Sequence, residues 1–235
     1  MYNFKVAIDG PTGAGKSTIS AEVAKRIGCV YVDTGAMYRA VGLYVRRKGV
    51  SSEDAAAIIG LLDEIKVTIS HDAGGQRIIL NGEDVSGEIR TPEASVYASN
   101  VSKIPQVRAA LLQLQRDLAS RESVLMDGRD IGTVILPDAD VKIFLTASDE
   151  ERARRRYEEL AGKGGKVTYD EVLTDLRWRD KNDSGRAAAP LMAADDAVTV
   201  DTTGNEFEAS VEAITRVIYD GLVKKHGTAP FGVNN

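Results

Sequence analysis

Short apolar runs alternate with segments of helical periodicity along the first sixty residues. The run KVAI at 5–8 is apolar and β-branched, which is typical of a strand buried on both faces. After a glycine-rich stretch, Ile19, Val23 and Ile27 recur every four residues, and Gly28 follows as a stop signal. This pattern predicts a buried strand, a tight loop and a helix, in that order.

The alternation continues in the next three segments. The run CVYVDTG at 29–35 predicts a second strand, and AMYRAVGLYVRRKG at 36–49 predicts a second helix. A third helix is predicted over 51–65, where Ser51 or Ser52 is the expected N-cap.

From Lys66 onward the pattern changes to short runs that mix polar and apolar residues. KVTIS, QRIIL and EDVSG each predict a short strand, and Asn81–Gly82 between the last two is a strong signal for a tight hairpin. Because the chain elsewhere alternates strand and helix, we expect this small antiparallel patch to be an insertion.

Helices and strands resume after residue 90, where Thr91 is the expected N-cap and Pro92 the first helical residue. Helices are predicted over 91–102, 105–120, 148–164, 168–186 and 206–224, and strands over 123–130, 141–147 and 197–202. The whole pattern predicts an α/β fold, a doubly wound parallel sheet whose ligands bind beyond the carboxyl ends of the strands.

The glycine-rich stretch GPTGAGKS matches G-x-x-x-x-G-K-[ST] from Gly10 to Ser17. In such a loop, glycines let backbone N–H groups turn toward a phosphate, Lys16 supplies a positive charge, and Ser17 offers a hydroxyl to Mg²⁺. The strand before the loop and the helix after it are the context that the motif requires. We therefore expect ATP contacts from Gly10, Pro11, Thr12, Gly13, Ala14, Gly15, Lys16, Ser17 and Thr18.

Composition narrows the range of functions. The 235 residues carry a net charge of −5, which argues against nucleic acid as the main partner. Cys29 is the only cysteine, which fits a reducing cytoplasm, and no stretch is apolar enough to predict a membrane partner. The tail at 226–235 has no periodicity and is expected to be flexible.

A phosphate loop alone leaves a kinase, a GTPase, a motor ATPase and a transporter subunit open. The N-K-x-D segment with which GTPases read guanine is missing from the sequence, and the chain is short for a motor. Several arginines follow predicted strands or lie in loops, where they could clamp two anionic substrates for direct phosphoryl transfer. The candidates are Arg39, Arg129, Arg152, Arg156, Arg179 and Arg186.

Arg129 stands out because it follows a core strand and lies between Asp127 and Asp130. His71 and His226 have no partners at metal or triad spacing, so both are assigned to the surface. The one tryptophan of the chain, Trp178, is expected to serve in packing.

Six motifs together make the chain similar to the bacterial cytidylate kinases, which phosphorylate CMP and dCMP within the nucleoside monophosphate kinase family. They are GPTGAGKST, DTGAMYRA, NGEDVSGEIRT, DGRDIGTVILPDADVKIFLTAS, ERARRR and RDKNDSGRAAAPL, in the order of the family. The resemblance covers nearly the whole chain, from Phe4 to about Leu222. The third and fourth motifs are far more specific than the phosphate loop.

The resemblance implies transfer of the terminal phosphoryl group of ATP to CMP or dCMP with Mg²⁺, in pyrimidine nucleotide metabolism. It implies one kinase domain over 1–235, and the expected protein is a monomeric cytoplasmic enzyme with no nucleic-acid or membrane partner. Its core is expected over about 1–35, 105–150 and 190–224, its monophosphate-binding region over 36–104, and its helical lid over 151–170.

The resemblance also assigns residues. Catalytic roles fall to Lys16, Arg129, Arg186, Arg152 and Arg156. Acceptor contacts fall to Thr34, Tyr38, Arg39, Ser99, Arg108, Arg129, Asp130, Arg179, Asp183 and Arg186. Many family members carry glycine at the position of Ser17, so a direct bond from Ser17 to the metal is not a family necessity. Thr34 stands where serine is common and keeps the hydroxyl.

Two alternatives stay open at this point. One is a broader kinase that also accepts UMP well. The other belongs to a different class, a regulatory module that senses ATP and transfers nothing. Arginines on both predicted substrate sides argue against the module, since a sensor needs no clamp for an acceptor.

Overall fold

The computed structural model describes residues 2–72, 75–162 and 164–233, which divide into two compact units. The first unit comprises the described residues up to Val30 together with those from Glu122 onward, and the second comprises Tyr31–Arg121. Outside the described residues lie Met1 of the predicted core, Ala73 and Gly74 of the predicted insertion, Lys163 of the predicted lid, and Asn234 and Asn235 of the predicted tail.

The elements follow the predicted alternation. The strands are β1 (Lys5–Asp9), β2 (Val30–Asp33), β3 (Val67–Asp72), β4 (Gly75–Leu80), β5 (Glu83–Asp84), β6 (Val124–Gly128), β7 (Val141–Thr146) and β8 (Val198–Asp201). The helices are α1 (Lys16–Ile27), α2 (Thr34–Arg47), α3 (Ala55–Gly60), α4 (Pro92–Val101), α5 (Pro105–Arg121), α6 (Asp149–Gly162), α7 (Tyr169–Ser184) and α8 (Phe207–His226). Within the described ranges, no helix has the length and apolar character needed to cross a membrane.

A parallel sheet of order β2-β6-β1-β7-β8 forms the core of the α/β fold, as predicted. In the first unit, Val6 of β1 lies opposite Leu125 of β6 and Val141 of β7, and these strands contribute side chains with almost no exposed surface. Helix α1 packs against β6 and α8. Since β1 is central, its carboxyl end opens onto the loop that carries the phosphate motif.

The second unit contains the small antiparallel sheet that the sequence predicts as an insertion. Its order is β3-β4-β5, with Leu80 of β4 opposite Glu83 of β5. Asn81 and Gly82 connect these two strands with φ of 50° and 88°, the left-handed conformations of a type I′ hairpin turn. In the same unit, α2 packs against α4.

Two helix starts differ from the prediction. Helix α2 begins at Thr34 rather than at residue 36, because the Asp33 carboxylate accepts from the Ala36 N–H and so caps the helix earlier. Helix α3 is capped by Asp54 rather than by Ser51 or Ser52, and it is followed by a separate 3₁₀ turn at Leu62–Glu64. In both cases an aspartate carboxylate forms the cap.

The single tryptophan also departs from its prediction. Trp178 lies on α7 and keeps 40% of its surface exposed, so packing buries only part of the indole. The two histidines lie at the surface as predicted, where His71 Nε2 is 2.9 Å from Tyr31 O and His226 Nε2 is 2.8 Å from Asp140 Oδ1.

Candidate active site

The phosphate motif forms a tight loop between β1 and α1. Gly13 and Gly15 have φ of 75° and 83°, and a Cβ on Gly10 would lie only 2.0 Å from Leu145 O, so the loop backbone runs directly against β7. Among the residues that the structure describes, no side chain caps the N-terminus of α1. Its N–H groups and the positive end of its dipole are therefore available to an anion.

Lys16 lies inside this loop with 6% of its surface exposed. Its Nζ donates to Gly10 O at 2.8 Å and to Pro11 O at 2.7 Å. Burial lowers the pKa of Lys16 to about 7, with Arg129 acting in the same direction and Asp127 opposing it. The ammonium group is thus held at the loop, and it is held in an environment that disfavours its charge.

We expect the protein to take up a proton when it binds ATP, the predicted donor, at pH 8. The lowered pKa leaves Lys16 largely neutral above pH 7 in the free protein, whereas phosphate oxygens favour its ammonium form. Calorimetry in buffers of different ionisation enthalpy should report an uptake approaching about one proton, which declines toward pH 6. Lys25→Met, on the exposed side of α1, should keep that uptake. An unchanged uptake in Lys16→Met would assign the proton to another group.

Two oxygen ligands meet at the start of α1. Ser17 Oγ donates to Asp127 Oδ2 at 3.0 Å, and Asp127 is 2% exposed near the end of β6. Hydroxyl and carboxylate oxygens are the donors that hard divalent cations prefer, so this pair fits a divalent metal that also binds substrate phosphates. The sequence singled out Asp127 by position but gave it no role.

A second carboxylate lies at the end of β1. Asp9 Oδ1 accepts from Ile131 N at 2.7 Å, and Asp9 Oδ2 accepts from Gly132 N at 2.8 Å. The pKa of Asp9 is raised to about 6, chiefly by burial and to a lesser extent by the neighbouring Asp130, while the two backbone hydrogen bonds act in the opposite direction. Asp9 was not among the predicted site residues.

Arg129, Asp183 and Arg186, each predicted as an acceptor contact, are joined by ion pairs. Arg129 Nε donates to Asp183 Oδ2 at 2.7 Å, and Arg186 Nη2 donates to Asp183 Oδ1. Arg129 Nη2 also donates to Thr12 Oγ1 in the phosphate loop at 3.1 Å. Although burial works to raise it, the two guanidinium groups hold the pKa of Asp183 below its usual range. The structure therefore brings Arg129 to the phosphate loop and places Arg186 on the same carboxylate as Arg129.

Arg152 is buried beneath the same loop, with every nitrogen of its guanidinium bonded. Its Nη1 donates to Thr12 O at 2.5 Å and to Asp180 Oδ2 at 2.6 Å, while Nε donates to Ala147 O and Nη2 to Asp149. Asp180 Oδ1 in turn accepts from Thr12 N at 3.0 Å. The backbone of Thr12 is thus held on both sides by α6 and α7, and Asp180 is a further contact that the sequence did not predict.

The other two arginines of this group lie on α6 and α7. Arg156 pairs with Glu159 at 2.7 Å on the more exposed part of α6. Arg179 pairs with Asp175 at 2.7 Å, and burial lowers its pKa. Arg179 Nε is buried and has no hydrogen-bond acceptor among the described residues. Their predicted contacts with substrates stay predictions.

In the second unit, Asp33 organises the start of α2. Its Oδ1 caps the helix, and its Oδ2 accepts from Arg39 Nη2 at 2.6 Å. The side chain of Gln76 on β4 bonds the backbone N–H and carbonyl of Asp33 at 2.7 and 3.1 Å. These contacts fix the predicted acceptor-phosphate residue Arg39, and neither Asp33 nor Gln76 was predicted to take part.

The remaining predicted residues of the second unit lie on α2, α4 and α5. Thr34 and Tyr38 on α2 are buried, and the Arg108 guanidinium lies 5.6 Å from the centre of the Tyr38 ring. Ser99 on α4 is 8% exposed, and its hydroxyl has no hydrogen-bond partner among the residues described. An unbonded buried hydroxyl is costly, which is consistent with a polar contact supplied from outside the chain.

Comparison with known proteins gives consistent matches over most of the chain. The family model described as cytidylate kinase matches residues 6–220. A cytidylate kinase of Caldicellulosiruptor saccharolyticus is 48% identical over 219 residues, which cover 93% of this chain and 97% of that protein. A cytidylate kinase of Caldanaerobacter subterraneus subsp. tengcongensis is 51% identical over 214 residues, covering 91% of this chain and 94% of that protein.

The fold has a solved counterpart as well. The crystal structure of an uncharacterized protein from Eubacterium ventriosum has a TM-score of 0.51 and 13% identity, and it covers 92% of this chain and 98% of its own. That likeness concerns the fold alone. The family match, together with a phosphate loop flanked by Lys16, Asp127 and paired arginines, leads to one conclusion: the chain belongs to the cytidylate kinase family and is a kinase.

Proposed function

We propose that this chain transfers the terminal phosphoryl group of ATP to CMP, and also to dCMP, to form the diphosphates. The observation that carries the proposal is the ion-paired group Arg129–Asp183–Arg186, anchored on Thr12 of the phosphate loop. Guanidinium groups placed beside a donor loop can bind the phosphate of a second nucleotide, which a protein that only senses ATP does not need.

Phosphoryl transfer requires little covalent chemistry from the protein itself. In phosphoryl transfer the charge spreads over the equatorial oxygens of the moving group, and the attacking and leaving oxygens lie nearly in line. Lys16 and the N–H groups at the start of α1 bind the donor phosphates, and Arg129 and Arg186 stabilise the charge that develops on the moving group. No general base is assigned, because a loose transition state hardly requires one.

A divalent metal belongs to the activity of this kinase family, and we propose that it is Mg²⁺. Ser17 and Asp127 would hold it, since their oxygens are hard ligands already in contact at 3.0 Å. Bound there with the nucleotide, the cation would neutralise charge on the donor phosphates.

We assign the acceptor contacts separately for each unit. In the first unit, Arg129, Arg179 and Arg186 are proposed to bind the acceptor phosphate, Asp183 the ribose, and Asp130 the cytosine edge. In the second unit, Arg39 is proposed for the phosphate, Thr34 and Tyr38 for the same side of the nucleotide, and Ser99 and Arg108 for the base. Arg152 and Arg156 are proposed to act on the donor side.

An acceptor panel at fixed ATP tests the function. We expect CMP and dCMP to be phosphorylated far faster than AMP or dTMP, and UMP about 10- to 100-fold more slowly than CMP at sub-saturating concentration. Cytosine carries an amine where uracil carries a carbonyl, and a mispaired buried polar group costs about 1–3 kcal/mol. The measurement is the initial rate of ADP formation with each acceptor.

Two serines of α4 provide a matched pair for the base assignment. Ser99→Ala should reduce the preference for CMP over UMP, whereas Ser95→Ala should leave it unchanged, because Ser95 Oγ bonds Thr91 O within the helix. A higher rate with AMP or dTMP than with CMP would contradict the base-reading roles. Comparable rates with CMP and UMP would favour a kinase of broader specificity. ATP binding without acceptor-stimulated turnover would favour a protein that only senses ATP.

Two further expectations belong to this proposal. We expect a monomer with nucleotides as its ligands, which sedimentation at several protein concentrations would check. A cytoplasmic location is also part of the proposal; the single cysteine, Cys29, is half-buried, and burial raises its pKa to about 12, so the thiol stays protonated at neutral pH.

A further inference from the structure

The carboxylate of Asp9 connects the two loops that carry the proposed chemistry. Asp9 is the last residue of β1 and directly precedes Gly10, the first residue of the phosphate loop. Its two oxygens accept from the backbone N–H groups of Ile131 and Gly132 at 2.7 and 2.8 Å. These amides follow Arg129 by two and three residues, so one side chain bonds the segment that positions Arg129.

The strand register explains why this contact is separate from the Ser17–Asp127 pair. In the β1–β6 pairing, Ile8 lies opposite Asp127, and Asp9 lies opposite Gly128. Because side chains alternate between the two faces of a strand, Asp9 points to the face of the sheet opposite to that of Asp127. A carboxylate there can bond backbone amides without taking part in the metal or phosphate contacts.

The segment leaves little freedom around Asp9. Residues Ile131–Ile135 form a short π-helical turn, and a Cβ on Gly132 would lie 3.4 Å from Asp9 Oδ2 and 3.2 Å from the Lys142 side chain. Asp9 itself is 4% exposed. The two hydrogen bonds are therefore made in a confined, dry site, where the loss of an acceptor would leave a buried N–H unbonded.

We propose that Asp9 is a positioning residue for phosphoryl transfer, whose carboxylate holds the Arg129–Asp130 segment against the phosphate loop by accepting from the Ile131 and Gly132 amides. The inference rests on the proposed function, since it concerns the placement of Arg129 in the same reaction. Asp9 touches no substrate in this account and acts only through the backbone of the segment.

The charged groups around Asp9 define its expected pH behaviour. Asp130 and Lys16 act on it directly, Asp127 lies on the neighbouring strand, and Lys142 approaches from β7. Burial raises its pKa from 3.8 to about 6, so the folded protein binds more protons than the unfolded chain between these values. The contribution of Asp9 to folding stability is therefore largest below about pH 4 and is lost as the pH rises through about 6.

The test compares Asp9→Asn with Asp140→Asn. Asp140 also accepts from a backbone N–H, that of Lys5 at 2.7 Å, but at the opposite end of β1, where it also pairs with Lys225 and His226. Asp9→Asn should lower kcat about 10- to 100-fold and leave the KM for ATP within about threefold, because a small misplacement of a catalytic group affects chemistry more than donor binding. Asp140→Asn should lower the Tm and leave kcat unchanged.

The pH profile separates positioning from general structure. The ratio of wild-type to Asp9→Asn kcat should fall as the pH drops through about 6, since protonation removes from wild type the acceptor that the variant always lacks. Taking the ratio cancels the titration of the CMP phosphate, which falls in the same range. Asp9→Glu, which keeps a carboxylate at this position, should retain the fall in kcat that wild type shows below about pH 6.

Hydrogen exchange of the free protein gives a readout that does not depend on turnover. Above about pH 6, where Asp9 is ionised, amides in 129–135 should exchange faster in Asp9→Asn than in wild type or Asp140→Asn. Equal exchange and a constant kcat ratio would overturn the inference, as would the same kcat in both variants. If wild type fails to phosphorylate CMP but the exchange result holds, the proposed function fails and the tie through Asp9 stands.

Discussion

Replacing Lys16 with alanine is expected to lower kcat about 10²- to 10³-fold, the loss typical of removing one group that stabilises charge in a transition state. The folded state should survive the change. The Lys16 ammonium is buried against two backbone carbonyls, and burial lowers its pKa. The substitution removes the desolvation cost of this charge, and it also leaves the two carbonyls without their donor. Because these two effects oppose each other, the net change in folding stability should be small. Initial rates with ATP and CMP, measured beside thermal melting, check both parts.

Lys25→Ala provides the control for this experiment, since Lys25 lies on the exposed face of the same helix near its C-terminus. It should change neither kcat nor Tm by a measurable amount. Activity in Lys16→Ala within about threefold of wild type would contradict a role for this lysine at the donor phosphates, and a collapse of the fold would mark it as structural.

Replacing Arg129 with alanine should lower kcat/KM for CMP about 10²- to 10³-fold. The substitution removes a guanidinium that bonds both Asp183 and the Thr12 hydroxyl. The Tm should fall only moderately, with an expected cost of about 1–3 kcal/mol, because Asp183 keeps its ion pair with Arg186. The loss of activity should therefore exceed what the loss of stability explains.

Arg154→Ala is the matched substitution on a surface arginine. In the part of the chain that the structure describes, Arg154 pairs with Glu151 and Glu158 along α6 and is half exposed, so its removal should hardly change the Tm and should leave CMP turnover unchanged. If Arg129→Ala loses activity only in proportion to the unfolded fraction at the assay temperature, Arg129 is a structural residue.

The elements of the fold were predictable because their signals are local. Apolar β-branched runs marked the buried strands, four-residue periodicity marked the helices, and Asn81–Gly82 marked the hairpin. The errors lie where two local signals compete. A serine and an aspartate within four residues can each cap a helix, and only the packed chain decides in favour of Asp54.

The site was predictable where its residues belong to a recognisable sequence motif. The phosphate loop and separate acceptor contacts from Arg129, Asp183 and Arg186 were expected, whereas the ion pairs that join these three and the contacts from Asp9 and Asp180 were not. Both of these aspartates bond backbone groups far away in sequence, and such bonds leave no spacing pattern. One signal was present nevertheless, since the apolar runs KVAID and VLMD both end on an aspartate at the carboxyl end of a strand.

The partial exposure of Trp178 has a practical consequence. It is the single indole of the protein, and it sits on α7 beside Arg179 and five residues before Asp183. Intrinsic fluorescence excited at the red edge of the absorption band therefore originates from this one helix. A titration with either nucleotide can follow the emission maximum of Trp178 and its quenching by iodide without any attached dye.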